Sequence, residues 1–269
     1  MKSCINGATT MPYPLKRDIQ TATNAGFEGI EIWYPKMKKF LKSHSLTELK
    51  NMLQKNHLEV ASICPLSIRA FSDNNNSRAE LEEAARQAQK LGCDTLLVCP
   101  DAPQESIPQS AAWDTLSAEI RECARMVEKR GVKIALEPLG MHPLVPGPRE
   151  AMEVIKRADH PAVGLIMDTF HYYKSSVKLE DIRSIPVEKM LIVHINDCQS
   201  LPKDQLKDSH RLYPGLGVIP IISMLKSLKE KGYQGYLSVE IFREEYWQLP
   251  PEEVSRQSKR YLDLVINRL

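Results

Sequence analysis

Eight short apolar stretches of strand character recur along this chain, and segments with helical spacing separate them. The stretches are SCIN (3–6), GIEIW (29–33), VASIC (60–64), TLLVC (95–99), KIALE (133–137), VGLIMD (163–168), LIVHIND (191–197) and YLSVEIF (236–242). Apolar residues spaced three and four apart mark the helices between them. Leu15, Ile19 and Ala22 share one face, as do Leu46, Leu49 and Leu53 behind a Ser45 cap, and Leu81, Ala84, Ala88 and Leu91. Ile120, Cys123 and Val127 repeat the pattern, followed by Ala151, Val154 and Ile155. The segment Ile219–Lys231 and a last helix through Val254, Leu262 and Val265 complete it. Gly26, Gly92, Gly131 and Gly232 stand where C-caps end such helices. Only between the sixth and seventh stretches is no helix picked out.

This repetition predicts an α/β chain folded as a single (β/α)8 TIM barrel over residues 1–269, since one such domain typically takes about 250 residues. An open doubly wound sheet has the same alternation. However, no GxGxxG follows the first stretch, and eight units exceed its usual number. The period-two phase of the strands agrees with the barrel. If Glu31, Glu137, Asp168, His194 and Glu240 point inward, so do Gly29, Ala135, Gly164 and Ser238, which are small enough to leave room. Ile30, Ile32, Ile134, Leu136, Leu165, Met167, Val193, Val239 and Ile241 then form the greasy outer face that a ring of helices requires.

A formal net charge of +2, with 26% charged residues, implies no polyanionic partner, so no nucleic acid is expected. The six cysteines show no CxxC spacing and read as reduced, buried thiols of a cytoplasmic protein. The start MKSCINGATT lacks the apolar core of a targeting peptide. No run approaches the roughly 18 apolar residues of a membrane span, so no membrane association is expected.

The strand ends carry the chemistry. Glu137, Asp168, His194 and Glu240 lie at the carboxyl ends of stretches five to eight, the rim on which barrels of this kind build their sites. Three carboxylates and one imidazole suit one divalent ion of the Zn²⁺, Mn²⁺, Mg²⁺ or Co²⁺ kind. The competing reading pairs individual carboxylates with Lys133 or Arg243. His171, three residues beyond Asp168, is expected to support a ligand from behind or to touch substrate rather than to bind the metal itself. Arg211, in the SHRLYPGLG loop, is an anchor for substrate oxygens, against the alternative of an exposed loop arginine. Asp197 either bonds a ligand or orders that loop. Glu31 is expected to balance a basic group such as Lys133, and His44, His57 and His142 are expected at the surface.

ALEP around Glu137, MDTFH ending at His171, VHIND around His194, the HRLYPGLG loop and SVEIF around Glu240 resemble the xylose-isomerase-like barrels. That family includes sugar epimerases, hydroxypyruvate isomerase and enzymes of inositol catabolism, and the resemblance is nearest to its inosose (2-keto-myo-inositol) isomerase type. NGATT, the SHSL stretch and SVEIFREEYW extend the likeness over most of the chain, while strands three and four and the Pro-rich loop after Glu137 depart from it. By this resemblance Glu137, Asp168, His194 and Glu240 hold one divalent metal. Glu137 and Glu240 form the acid/base pair, and His171 and Arg211 hold a polyol ketone.

A carboxylate that removes the proton beside a carbonyl leaves an enediolate. Returning the proton to the other carbon isomerises the substrate, and returning it to the opposite face epimerises it. A dehydratase of a keto-cyclitol or dehydroshikimate-like compound is the enzymatic alternative, because the same enolate can expel hydroxide. A related abasic-site nuclease needs further histidines on strands three and four, which end SICP and LVCPD here. A non-catalytic sugar-binding protein is disfavoured because both glutamates are present.

Overall fold

The computed structural model describes all of residues 1–269. Eight parallel strands close into a barrel: β1 (Lys2–Asn6), β2 (Gly29–Trp33), β3 (Glu59–Ile68), β4 (Thr95–Pro100), β5 (Lys133–Leu136), β6 (Val163–Asp168), β7 (Met190–Ile195) and β8 (Tyr236–Val239). Each strand pairs with its neighbours in sequence. β8 closes on β1 with Lys2 opposite Tyr236 and Ile5 opposite Val239. Parallel neighbours demand crossover connections, and the helices provide them on the outside.

The helix signals in the sequence have their physical counterparts. Ser45 and Glu48 form a reciprocal capping box at the start of Leu46–Lys55. Gly26 ends Leu15–Ala25 in the left-handed region, at φ 82°. The strand phase also holds. The nine outward residues named above all lie in the large cluster shared by barrel and helices, while Ala135, Ile166 and Ile192 pack with Cys4, Ala61, Cys64 and Leu97 inside the barrel. Gly29 and Gly164 make room for neighbours rather than for the site. A Cβ on Gly29 would meet the Tyr236 ring at 2.6 Å, and one on Gly164 would meet the Lys189 carbonyl at 2.5 Å.

Four elements differ from expectation. β3 runs through residue 68 instead of ending at 64, because Pro65 interrupts its ladder and hides the continuation. Two six-residue helices, Thr169–Lys174 and Leu179–Ser184, fill the gap between β6 and β7, and Tyr34–Leu41 adds an eight-residue helix after β2. Pieces this short show too few turns for periodicity to reveal. No helix is long and apolar enough to cross a membrane, and all six cysteines are free.

Candidate metal centre and active site

Glu137 is the first residue past β5, and its backbone N–H still donates to the Val98 carbonyl at 2.9 Å, so its side chain keeps the inward phase of the strand. Glu240 stands just past β8, with its N–H on the Ile195 carbonyl at 3.4 Å. Asp168 ends β6 and caps the next helix. Its Oδ1 accepts from Phe170 N at 2.7 Å and His171 N at 3.2 Å, which leaves Oδ2 for the barrel mouth. His194 lies opposite both Asp168 and Ser238 in the sheet. One donor atom each from Glu137, Asp168, His194 and Glu240 falls within 4.8 Å of the others, and all four residues are buried.

This set fits a cation. Donors held about 2.0–2.2 Å from one ion stand roughly 3–4 Å apart, so a slight contraction would suffice. His194 Nδ1 lies 3.1 Å from Glu240, 3.6 Å from Glu137 and 3.8 Å from Asp168, and neither nitrogen of the buried ring makes an aligned hydrogen bond. Buried polar atoms rarely stay unpaired, and an imidazole nitrogen facing three carboxylate oxygens is arranged as a ligand.

Electrostatics hold the cluster together. Arg211 is 1% exposed, and its guanidinium donates to Asp168 Oδ2 at 2.8 Å and Glu240 Oε2 at 3.0 Å, and from Nε to Asp208 at 3.0 Å. The rings of Phe170 and Phe242 lie 4.8 and 5.3 Å from it. Burial pushes Glu240 up to about 7, against the pull of His194 and Arg211. Burial acts the same way on Asp168, but Arg211 and His171 override it and hold that carboxyl well below its usual range. For His194, burial disfavours the charged ring, and Glu240 and Glu31 outweigh it and raise it well above its ordinary value.

The structure brings His171 and Arg211 to the same cavity. His171 Nε2 sits 3.2 Å from Arg211 and 4.0 Å from Glu137, and both residues line a space of about 390 Å³ with Glu137 and Glu240. Trp33, Pro65, Leu97, Leu139 and Phe242 supply its apolar wall. Arg211 arrives there because Arg211–Leu212 pairs antiparallel with Asp197–Cys198, folding the long loop back over the mouth. Nothing in the loop's composition reveals this pairing. The alternative of an exposed loop arginine is overturned.

Other expectations are corrected. Glu31 does not meet Lys133, which is half-exposed at the amino end of β5, 3.7 Å from Asp94. Glu31 is fully buried instead, 2.9 Å from His194 Nε2 and bonded by Ser62. Arg243 pairs with Glu245, so neither suggested basic partner neutralises the cluster. His142 is half-buried, not a surface residue, and its Nδ1 accepts from Leu144 and Val145 to fold the Pro-rich loop. His44 and His57 are exposed.

Sequence reasoning missed Cys99, which donates to Glu137 Oε2 at 3.3 Å, and Asp208, whose spacing three residues before Arg211 is a faint signal. Asn6 was missed as well. Its amide reaches Glu240 Oε1 at 3.1 Å, and its place at the carboxyl end of the first stretch is the signal that marked the four donors.

Of the two readings for Asp197, the structure favours ordering of the loop. Its carboxylate accepts from Cys198 N, Gly215 N and Ile219 N at 2.9, 3.1 and 2.9 Å. Gly217 is required beside it, since a Cβ there would come within 2.1 Å of the Cys198 carbonyl. Asp197→Ala is expected to destabilise the protein by about 2–4 kcal/mol, because buried donors lose a charged acceptor. Urea unfolding measures this, and an unchanged midpoint would contradict it.

The family model described as xylose isomerase-like TIM barrel matches residues 19–265. An inosose isomerase from Halalkalibacterium halodurans is 33% identical over 96% of this chain and 94% of its own length. A 3-dehydroshikimate dehydratase from Pseudomonas aeruginosa is 28% identical over 88% of this chain, but over 37% of its own length. The solved structure of the IolI protein with a bound zinc atom superposes with a TM-score of 0.92 at 28% identity, covering 99% of this chain and 98% of that one. With its eight strands closed in sequence order, its polar cluster at their carboxyl ends and a family match over nearly its whole length, the chain belongs to the xylose isomerase-like TIM barrel family.

Proposed function

We propose that this chain is a divalent-metal-dependent isomerase or epimerase of a keto-sugar or keto-cyclitol, with an inosose-like ketone as substrate and a place in inositol catabolism. The observation that carries this reading is a pair of buried glutamates from β5 and β8, both reaching a four-donor cluster at the base of an open cavity. Full-length likeness to inosose isomerases supports it. Six free thiols accord with a cytoplasmic setting.

Glu137, Asp168, His194 and Glu240 would hold the cation. When bound, it supplies Lewis-acid polarisation of a carbonyl and its neighbouring hydroxyl. The zinc in the related IolI structure supports Zn²⁺, and the same oxygen-rich donors accept Mn²⁺, Mg²⁺ or Co²⁺. His171 and Arg211 orient substrate oxygens from one side of the cavity, while Trp33 and Phe242 exclude water. One glutamate removes the proton on the carbon next to the carbonyl, and the other delivers a proton to the neighbouring carbon or to the opposite face.

Incubating the cation-loaded protein in D₂O with inosose or a simple ketose is expected to place deuterium beside the carbonyl, as read by NMR. A chelator is expected to abolish exchange, and returning the cation should restore it. Absence of exchange from a protein shown to hold its ion would overturn the reading. The likeness to dehydroshikimate dehydratases gives a second reading, in which the same proton abstraction expels hydroxide. An enone absorbing in the ultraviolet would identify it in the same tubes.

A further inference from the structure

Glu31 is the one carboxylate inside the barrel that neither the donor cluster nor the acid/base pair uses. It is fully buried on β2, and no lysine or arginine forms an ion pair with it. Its surroundings hold it in a single orientation. Ser62 donates to Oε2, and Asn6 Nδ2 lies 3.3 Å from Oε1. The Asn6 amide cannot flip without loss, because its Oδ1 accepts from Ala8 N at 2.9 Å. Oε1 stands 2.9 Å from His194 Nε2, on the side of the ring opposite the cluster and closer than any carboxylate oxygen comes to Nδ1, although the contact is not an aligned hydrogen bond without the cation. A lone pair on that nitrogen would repel the carboxylate, so the contact favours a proton on Nε2.

We propose that Glu31 is a positioning residue that fixes His194 as its Nε2–H tautomer and so turns the Nδ1 lone pair toward Glu137, Asp168 and Glu240. A carboxylate behind a ligating imidazole fixes the ring, raises its basicity and commonly governs affinity about 10–100-fold. Asn6 extends the arrangement, since the same amide nitrogen that meets Glu31 also meets Glu240 Oε1 at 3.1 Å. One buried amide therefore couples the support of the imidazole to one of the two glutamates. This inference rests on the proposed cation site, but not on the identity of the reaction.

The test is Co²⁺ affinity by chelator competition in the full chain, for wild type, Glu31→Gln and Glu31→Leu, together with ¹⁵N NMR of His194 in the Zn²⁺-loaded protein. Glu31→Leu is expected to bind about 10–100-fold more weakly. Glu31→Gln, whose amide oxygen still accepts from Nε2–H, should recover part of the loss. The wild-type spectrum should show a protonated Nε2 and a metal-bound Nδ1. Wild-type affinity in a folded Glu31→Gln and Glu31→Leu pair, or a spectrum with Nε2 on the metal, would overturn the proposal. If Glu31→Leu does not fold, Glu31→Gln and the spectrum decide. Weakened binding in the variants alongside a wild type that exchanges no substrate proton would sustain this role for Glu31 while removing the proposed reaction.

Discussion

Glu240→Gln is expected to lower turnover about 10²–10⁴-fold, the range that a positioned acid or base contributes. Glutamine keeps the size of the side chain and one oxygen for a cation, but it cannot take up or give back a proton at neutral pH. Burial pushes the Glu240 carboxyl up to about 7 in the cation-free protein, and a bound cation would draw it back toward the carboxylate form that accepts a proton. The loss must be measured at saturating cation, with bound ion counted in the same samples, because this residue also belongs to the donor cluster. A folded, cation-loaded variant that turned over at the wild-type rate would remove Glu240 from the chemistry. Glu137→Gln is the companion variant, and a similar loss there would show that both faces of the substrate need a proton carrier.

Lys36→Met should cost about 3–5 kcal/mol of stability, the usual consequence of leaving one member of a buried ion pair alone. Lys36 Nζ donates to the Gly7 and Thr10 carbonyls at 2.7 and 2.8 Å and to both Asp18 oxygens at 2.9 and 2.8 Å. It joins the turn after β1 to the helices Leu15–Ala25 and Tyr34–Leu41, and so supports the segment that follows Asn6. Both members are almost wholly enclosed.

Burial raises Asp18 from 3.8 to about 6, with Lys36 pulling it back only in part. The folded state therefore holds this proton more tightly than the unfolded state. The favourable contribution of Asp18 is full below about pH 4 and is lost as the pH rises through about 6. In Lys36→Met the opposing pull is gone, so the deficit should grow from acid toward neutral pH. Urea denaturation at several pH values measures this, and a deficit independent of pH would show that Asp18 is not the group left exposed to the cost.

Legibility in the sequence followed the range of the interactions. The outward and inward phases of the strands were readable because side chains alternate every residue and the outer face must be apolar over its whole length. The four donors were readable for the same reason: each is a polar residue that interrupts or ends an apolar run. Glu31 has the same local signature, yet its assignment to Lys133 failed. Whether a buried carboxylate faces an imidazole or a lysine depends on neighbouring strands, and the amino end of β5 points its lysine at Asp94 on the opposite rim. The short helices between β6 and β7 and after β2 escaped notice because six to eight residues hold about two turns, too few to show a period.

The residue pattern alone settled the barrel, the direction each strand side chain takes and the rim on which the buried polar cluster gathers, since these follow from periodicities that any segment carries within itself. Burial of Arg211, the partner of Glu31 and the loop-ordering task of Asp197 came only from the folded chain. Each depends on atoms brought together from distant segments, as when Cys198 and Arg211 pair across a twelve-residue loop, and pairing of that kind leaves no local trace because its energy is shared between segments that are each unremarkable alone.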